Sequence, residues 1–295
     1  MKHKLKKTGF TIVEVALFLA LSGFLMIGII VGANTSISRQ RYNDAVNGFA
    51  EYVRGVYTDV LNVSNDKSLD EEAGRTKTAV YGKLISIGEC ADASCSTTTD
   101  TIYTYDIVGL AVSSSAVKGT RAIDMLYNTV NNGGVNANIF DREGCNGTTC
   151  QAKPYRMTTY QIPWEGSIGQ SNTTGQRFHG AILVVRSPST GSIRTYTYVY
   201  PSNKLSSYSF HLKTQIENTN DPSNTKSFAY FMKTVGHQSN NYGENELTIC
   251  VDSEDNNYPN RRGIMIAARA NNSASIMVTE MDAEDSLCKG RNYNY

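Results

Sequence analysis

Residues 12–33 hold one charge, Glu14, among 21 apolar or small side chains. As a helix rising 1.5 Å per residue this stretch is about 33 Å long, enough to cross a bilayer core. It is apolar on every side rather than along one stripe, so it is expected to be buried all round, in lipid or among other helices. A core helix of a soluble protein does not fit that length and continuity. The residues before it, Lys2-His3-Lys4-Leu5-Lys6-Lys7-Thr8-Gly9, are basic. By the positive-inside rule they mark the cytoplasmic end of a membrane helix.

Glu14 makes the stretch specific. An ionised carboxylate in hydrocarbon is costly and is expected to have a partner. A cut after Gly9 would supply one, because the α-amine of Phe10 would become a cation at the head of the helix. That amine could neutralise Glu14 of an adjacent copy when helices pack side by side. Glu14 also lies in the first helical turn, where negative charge suits the helix dipole.

The order of a short basic leader, Gly9, and then Phe10-Thr11-Ile12-Val13-Glu14 resembles the class III leader of type IV pilins and related pseudopilins. The resemblance covers about the first sixty residues. It implies cleavage between Gly9 and Phe10 by a prepilin peptidase, N-methylation of Phe10 by the same enzyme, and a role for Glu14 in filament assembly. It also implies partners: further copies of the chain, the assembly platform and its ATPase, and the cytoplasmic membrane before assembly. The implied course is a single-pass precursor with its N-terminus inside, then an extracellular filament on the cell surface. Val31 stands where many pilins carry a helix-kinking proline, and Gly23, Gly28 and Gly32 could loosen the helix there instead.

Plainer readings compete. A secretory signal peptide cut after Val31-Gly32-Ala33 would have an unusually long apolar run, and one carrying a glutamate. An uncleaved signal anchor would leave Glu14 without a partner.

Beyond Ala33 the pattern turns amphipathic. Tyr42, Val46, Phe49, Val53, Val56 and Val60 recur at spacings of three and four, while Arg39, Arg41, Asp44, Glu51, Arg54 and Asp59 fill much of the remainder. The helix is expected to run from Phe10 to about residue 63 and to stop at Ser64-Asn65-Asp66. The domain plan is therefore a leader (1–9), a transmembrane or filament-core helix (10–33), an amphipathic continuation (34–64) and a globular head (65–295). The head's 230 or so residues suffice for a core. With 19% charged residues, 18 tyrosines and a net charge of +1, it reads as an extracellular β-rich body with no bulk attraction to nucleic acid.

Strands are expected at 79–87, 101–109, 155–162, 209–216, 246–251, 263–269 and 275–281. A β-hairpin is expected from 181–186 and 194–200 around Ser187-Pro188-Ser189-Thr190-Gly191-Ser192. Helices are expected at 116–130 and 225–235, the second with Phe228, Phe231 and Met232 inward. Tyr196, Tyr198 and Tyr200 share one face, either packed on a neighbouring element or exposed as an adhesive stripe. Trp164, the only tryptophan, reads as a packing residue.

The six cysteines, Cys90, Cys95, Cys145, Cys150, Cys250 and Cys288, lie beyond the export segment and read as disulfides, with fifteen possible pairings. Local pairing within 90/95 and 145/150 would leave Cys250 with Cys288, which resembles the C-terminal disulfide-bounded region of many pilins. Zinc at the two C-x4-C pairs would need a reducing compartment. Asp252, Glu254 and Asp255 could offer oxygens to calcium, yet they lack the EF-hand's glycine and closing glutamate, so a solvated loop is expected. His3, His179, His211 and His237 are widely separated, and no catalytic or cofactor motif is present.

The expected fold class is α+β: a long N-terminal helix, transmembrane and then amphipathic, packed on a mostly antiparallel, disulfide-stapled sheet, as in pilins. The expected function is a structural filament subunit without enzymatic activity or cofactor, serving adhesion, twitching motility or DNA uptake. A minor pilin or a pseudopilin of a type II secretion or competence machine is the alternative. A membrane-anchored exported enzyme or binding domain is the second.

Overall fold

The computed structural model describes residues 11–62, 78–88, 101–111, 117, 121–141, 153–164, 167–168, 180–199, 228–237, 246–252 and 260–282. By internal packing the chain divides into two units, Met1–Asp44 and Ala45–Tyr295. One helix, α1 (Ile12–Leu61), is continuous from the first into the second. It does not break at Gly23, Gly28 or Gly32, and it ends two residues before the expected stop, at Leu61. The fold is α+β with antiparallel sheets, as expected.

In the second unit, α1 turns its apolar stripe inward: Val46, Phe49, Val53 and Val60 are fully buried, and Ala45, Ala50 and Tyr57 join them. The stripe faces a five-stranded antiparallel sheet. Its strands are β1 (Thr78–Ile87), β2 (Thr101–Leu110), β5 (Met157–Gln161), β7 (Gly180–Arg186) and β8 (Ile193–Val199), in the order β5-β2-β1-β7-β8. Two two-residue strands, β3 (Phe140–Asp141) and β4 (Lys153–Pro154), pair with each other nearby. Successive strand residues point to opposite faces. Thr104 and Lys83 therefore meet α1 at Tyr52 and Asp59. Tyr103, Tyr105 and Ile107 point the other way, into a cluster with Leu183, Val185, Tyr196 and Tyr198.

That second face is closed by α2 (Ala122–Tyr127) and α3 (Phe228–His237), which contribute Ile123, Leu126, Phe228, Phe231 and Met232 to the cluster. With both faces covered, β2 and β7 are buried along nearly their whole length, which is why they read as apolar runs. The expected hairpin is β7–β8, paired from Gly180↔Val199 to Arg186↔Ile193. Tyr196 and Tyr198 are 2% and 7% exposed, and Tyr198 meets Phe231 edge-on at 6.0 Å. The tyrosine face is therefore core, not an adhesive stripe; Tyr200 lies outside the described residues.

A second, four-stranded sheet has the order β11-β10-β9-β6, formed by β6 (Ser167–Ile168), β9 (Leu247–Asp252), β10 (Asn260–Ile266) and β11 (Ile276–Asp282). The guanidinium of Arg54 on α1 donates to the Ile276 carbonyl (Nη2 2.7 Å, Nε 3.2 Å), tying this sheet to the helix.

Three expectations need correction. The helix read at 116–130 is only α2, six residues long, because the chain doubles back: Val135 and Ala137 donate their N–H groups to the carbonyls of Met125 and Leu126. The strand read at 263–269 begins earlier and stops at Ile266, where Ala270 N–H closes a turn onto the Ala267 carbonyl and Arg269 takes φ 56°. Trp164 is not part of the buried core: it is 55% exposed, at φ 60°. The strand expected at 209–216 lies outside the described residues.

Candidate functional site

The helix begins at a reciprocal hydrogen-bonded turn. Thr11 precedes α1, and Glu14 lies in its first turn. The Glu14 carboxylate accepts from the Thr11 N–H (2.9 Å) and from the Thr11 hydroxyl (3.1 Å), while the Glu14 N–H donates to Thr11 Oγ1 (3.3 Å). This is a capping box, the T-x-x-E pattern ahead of an apolar run, and it satisfies backbone donors that a helix start otherwise leaves open. The signature stands in the sequence as Thr11-Ile12-Val13-Glu14, but a reading focused on the charge passes over it. Glu14 thus has a partner within its own chain.

Beyond the cap, fifteen large apolar side chains from Ile12 to Ile37 are between 46% and 88% exposed. Covering them is worth on the order of 20 kcal/mol or more, at about 1.5–3 kcal/mol for each side chain fully buried. That sum dominates any single polar group in the segment, so it leaves water wherever a cover exists. This is a helix long and apolar enough to cross a membrane. The hydroxyls within it are satisfied locally: Thr35 donates to the Val31 carbonyl and Ser36 to that of Gly32, both at 3.0 Å. Such back-bonding lets a hydroxyl enter an apolar environment without an orphaned donor.

Of the other expected site residues, Gly9 and Phe10 lie outside the described residues, as do Cys90, Cys95, Cys145, Cys150 and Cys288. Cys250 is buried in β9 and carries no free thiol, but its pairing falls outside the described residues. Asp252 ends β9, while Glu254 and Asp255 are outside. Among the described residues no group of three His, Cys, Asp or Glu side chains is placed to hold a metal ion.

Two features were not anticipated. Lys83 Nζ lies 2.9 Å from Asp59 of α1 and 3.5 Å from Asp106 of β2, with Lys83 and Asp106 side chains only 12% and 10% exposed. Tyr160 of β5 stacks on Tyr52 of α1 with ring centroids 4.3 Å apart. Both join residues far apart in sequence, so no local pattern signals them. The chain matches no protein-family model, no curated protein and no solved structure.

Proposed function

We propose that the chain is the precursor of a structural subunit of a type IV pilus-like filament. In this reading the 12–33 segment holds it in the cytoplasmic membrane with the basic end inside. A prepilin peptidase cuts between Gly9 and Phe10 and methylates the new amine, and an assembly platform with its ATPase then polymerises the subunits. The head is exported, and disulfides among its six cysteines staple it.

One observation carries the reading. A single unbroken helix is apolar and uncovered from Ile12 to Ile37, yet further on it is the buried spine of a folded head. Lipid covers the first part before assembly, and the helices of other copies cover it afterwards. In the packed state Glu14 exchanges its Thr11 partner for the amine of a neighbour's Phe10, which sets the register of the incoming subunit.

Mass spectrometry of the N-terminus of the native protein tests this. N-methyl-Phe10 is expected, on protein recovered from fibres sheared off the cell surface. The capping box favours a second reading, a simple single-pass anchor, because Glu14 is already satisfied by Thr11. In that case Met1 remains as the first residue and no fibre contains the chain.

A further inference from the structure

We propose that Arg39 binds the phosphate of a phospholipid in the outer leaflet and so fixes the depth of α1 in the bilayer. The proposal rests on the membrane-held reading of residues 12–33 and needs no filament.

Three properties of this residue point to a lipid phosphate. The first is its level. At about 1.5 Å per residue and a common tilt of about 20°, residues 12–33 span about 31 Å, which matches a hydrocarbon core of about 30 Å. On the same scale the Arg39 backbone stands about 8 Å beyond Ala33, at the outer rim of a headgroup layer about 5–7 Å deep. Side chains on a helix lean toward its N-terminus, so the guanidinium reaches back into that layer.

The second is the lack of another partner. Arg39 is exposed, and among the described residues no hydrogen bond or ion pair engages it, whereas Arg41 is engaged within the chain. The positions three and four residues away hold Thr35, Ser36, Tyr42 and Asn43. No acid therefore stands where a helix would pair it. Thr35 and Ser36 donate their hydroxyl hydrogens to the Val31 and Gly32 carbonyls, so the guanidinium is the charged donor that faces outward from this turn.

The third is its sign. Lys and Arg gather at the cytoplasmic end of a membrane span, and the leader supplies them there as Lys2, Lys4, Lys6 and Lys7. An arginine at the opposite end runs against that bias and needs an anion. The planar guanidinium takes two phosphate oxygens at once, and every phospholipid carries a phosphate at this level. Sliding the helix outward would pull the guanidinium off its phosphate. Sliding it inward would carry the cation into hydrocarbon.

The test uses the full-length chain in bilayers with and without phosphate: phosphatidylglycerol vesicles and vesicles of an uncharged galactolipid. With the arginine guanidinium carbons labelled, lipid phosphorus should dephase their signal in solid-state NMR. Arg39→Gln should lose most of that effect, and Arg41→Gln should keep it. Detergent should extract Arg39→Gln from phosphatidylglycerol about fivefold faster than the parent. The leader lysines are common to both chains and cancel in this comparison. From galactolipid the two should leave at the same rate. Unchanged dephasing in Arg39→Gln would overturn the proposal, as would equal extraction from phosphatidylglycerol. The same difference in galactolipid would also overturn it, by assigning Arg39 to a protein contact instead. A chain that floats with neither kind of vesicle removes the membrane reading and this proposal together, whereas one that floats but shows no contact between Arg39 and phosphorus removes this proposal alone.

Discussion

Tyr57 Oη lies 2.7 Å from Thr195 Oγ1, and Thr195 donates its own hydroxyl hydrogen to the Ala270 carbonyl, also at 2.7 Å. With the threonine hydrogen committed to Ala270, the phenol is the donor to Thr195. Three separate parts of the head meet in this relay: α1, the edge strand β8, and the loop joining β10 to β11. All three residues are buried. Together with Arg54 on the Ile276 carbonyl, the relay makes α1 the element that both sheets share.

Burial pushes the Tyr57 phenol up to about 12 from its ordinary value of 10.0. Below pH 10 the folded and unfolded chains both hold this proton, so stability does not change with pH on its account. Above pH 10 the unfolded phenol ionises first and stability falls, by about 2–3 kcal/mol by pH 12. Tyr57→Phe should cost about 1 kcal/mol at neutral pH, for the lost hydrogen bond. Its stability should then fall less steeply than the parent's between pH 10 and 12. Urea unfolding of the detergent-solubilised chain at a series of alkaline pH values checks this, and parallel curves for parent and variant would refute it.

The Lys83 cluster gives a ranking of substitutions. Lys83→Met leaves Asp106 as an uncompensated buried carboxylate and should cost about 3 kcal/mol. Asp59, whose side chain is 59% exposed, is a rim partner, so Asp59→Asn should cost less than about 1 kcal/mol. Adding Asp106→Asn to Lys83→Met should recover part of the loss. Equal effects of the two single changes in a melting series would show that the cluster is solvated rather than part of the helix–sheet interface.

What local patterns carry was legible. The apolar segment, the stripe from Val46 to Val60, the β7–β8 hairpin and the inward Phe228, Phe231 and Met232 follow from periodicity and turn residues, and the structure has them. What depends on register between distant elements was not. The division into two sheets follows from β5 and β6 entering different sheets across the Pro163-Trp164 turn, and nothing in either short strand announces that. Lys83 looks like an ordinary strand lysine until β1 is aligned with β2 and laid under α1. Helix α2 is shorter than its apolar pattern because Gly134 lets the chain turn back so tightly that a Cβ there would stand 2.3 Å from the Asn128 carbonyl oxygen. At the helix start the signal was present but ambiguous, because one glutamate serves both a cap and a charge.

Two glycines should respond oppositely to alanine. At Gly82, beside the irregularity between Val80 and Gly82 in β1, a Cβ would fall 2.3 Å from the Val184 carbonyl oxygen and 2.8 Å from Val185 Cα. Those are backbone atoms of the neighbouring strand β7, so Gly82→Ala should destabilise by about 2 kcal/mol or more. At Gly55, on the exposed side of α1, a Cβ would meet nothing within 4 Å. Gly55→Ala should therefore stabilise by about 1 kcal/mol and raise the melting temperature by about 2–4 °C. Thermal melts of the two variants test the pair directly.

Glutamine at position 14 can divide the two roles of the acid. Glu14→Ala and Glu14→Val remove both the capping oxygens and the charge, so a defect in either leaves the cause open. Glu14→Gln keeps an oxygen able to accept from the Thr11 N–H and hydroxyl, as glutamine does in a capping box. It loses only the charge that would meet a neighbour's amine. If ion pairing drives assembly, Glu14→Gln should be cleaved at Phe10 and retained in the membrane, yet form filaments as poorly as Glu14→Ala. If capping is the whole role, Glu14→Gln should assemble like the parent while Glu14→Ala does not. Comparing sheared surface protein with the membrane pool, and sequencing the N-terminus of each, reads both outcomes. A fully assembling glutamine variant would confine Glu14 to starting its own helix.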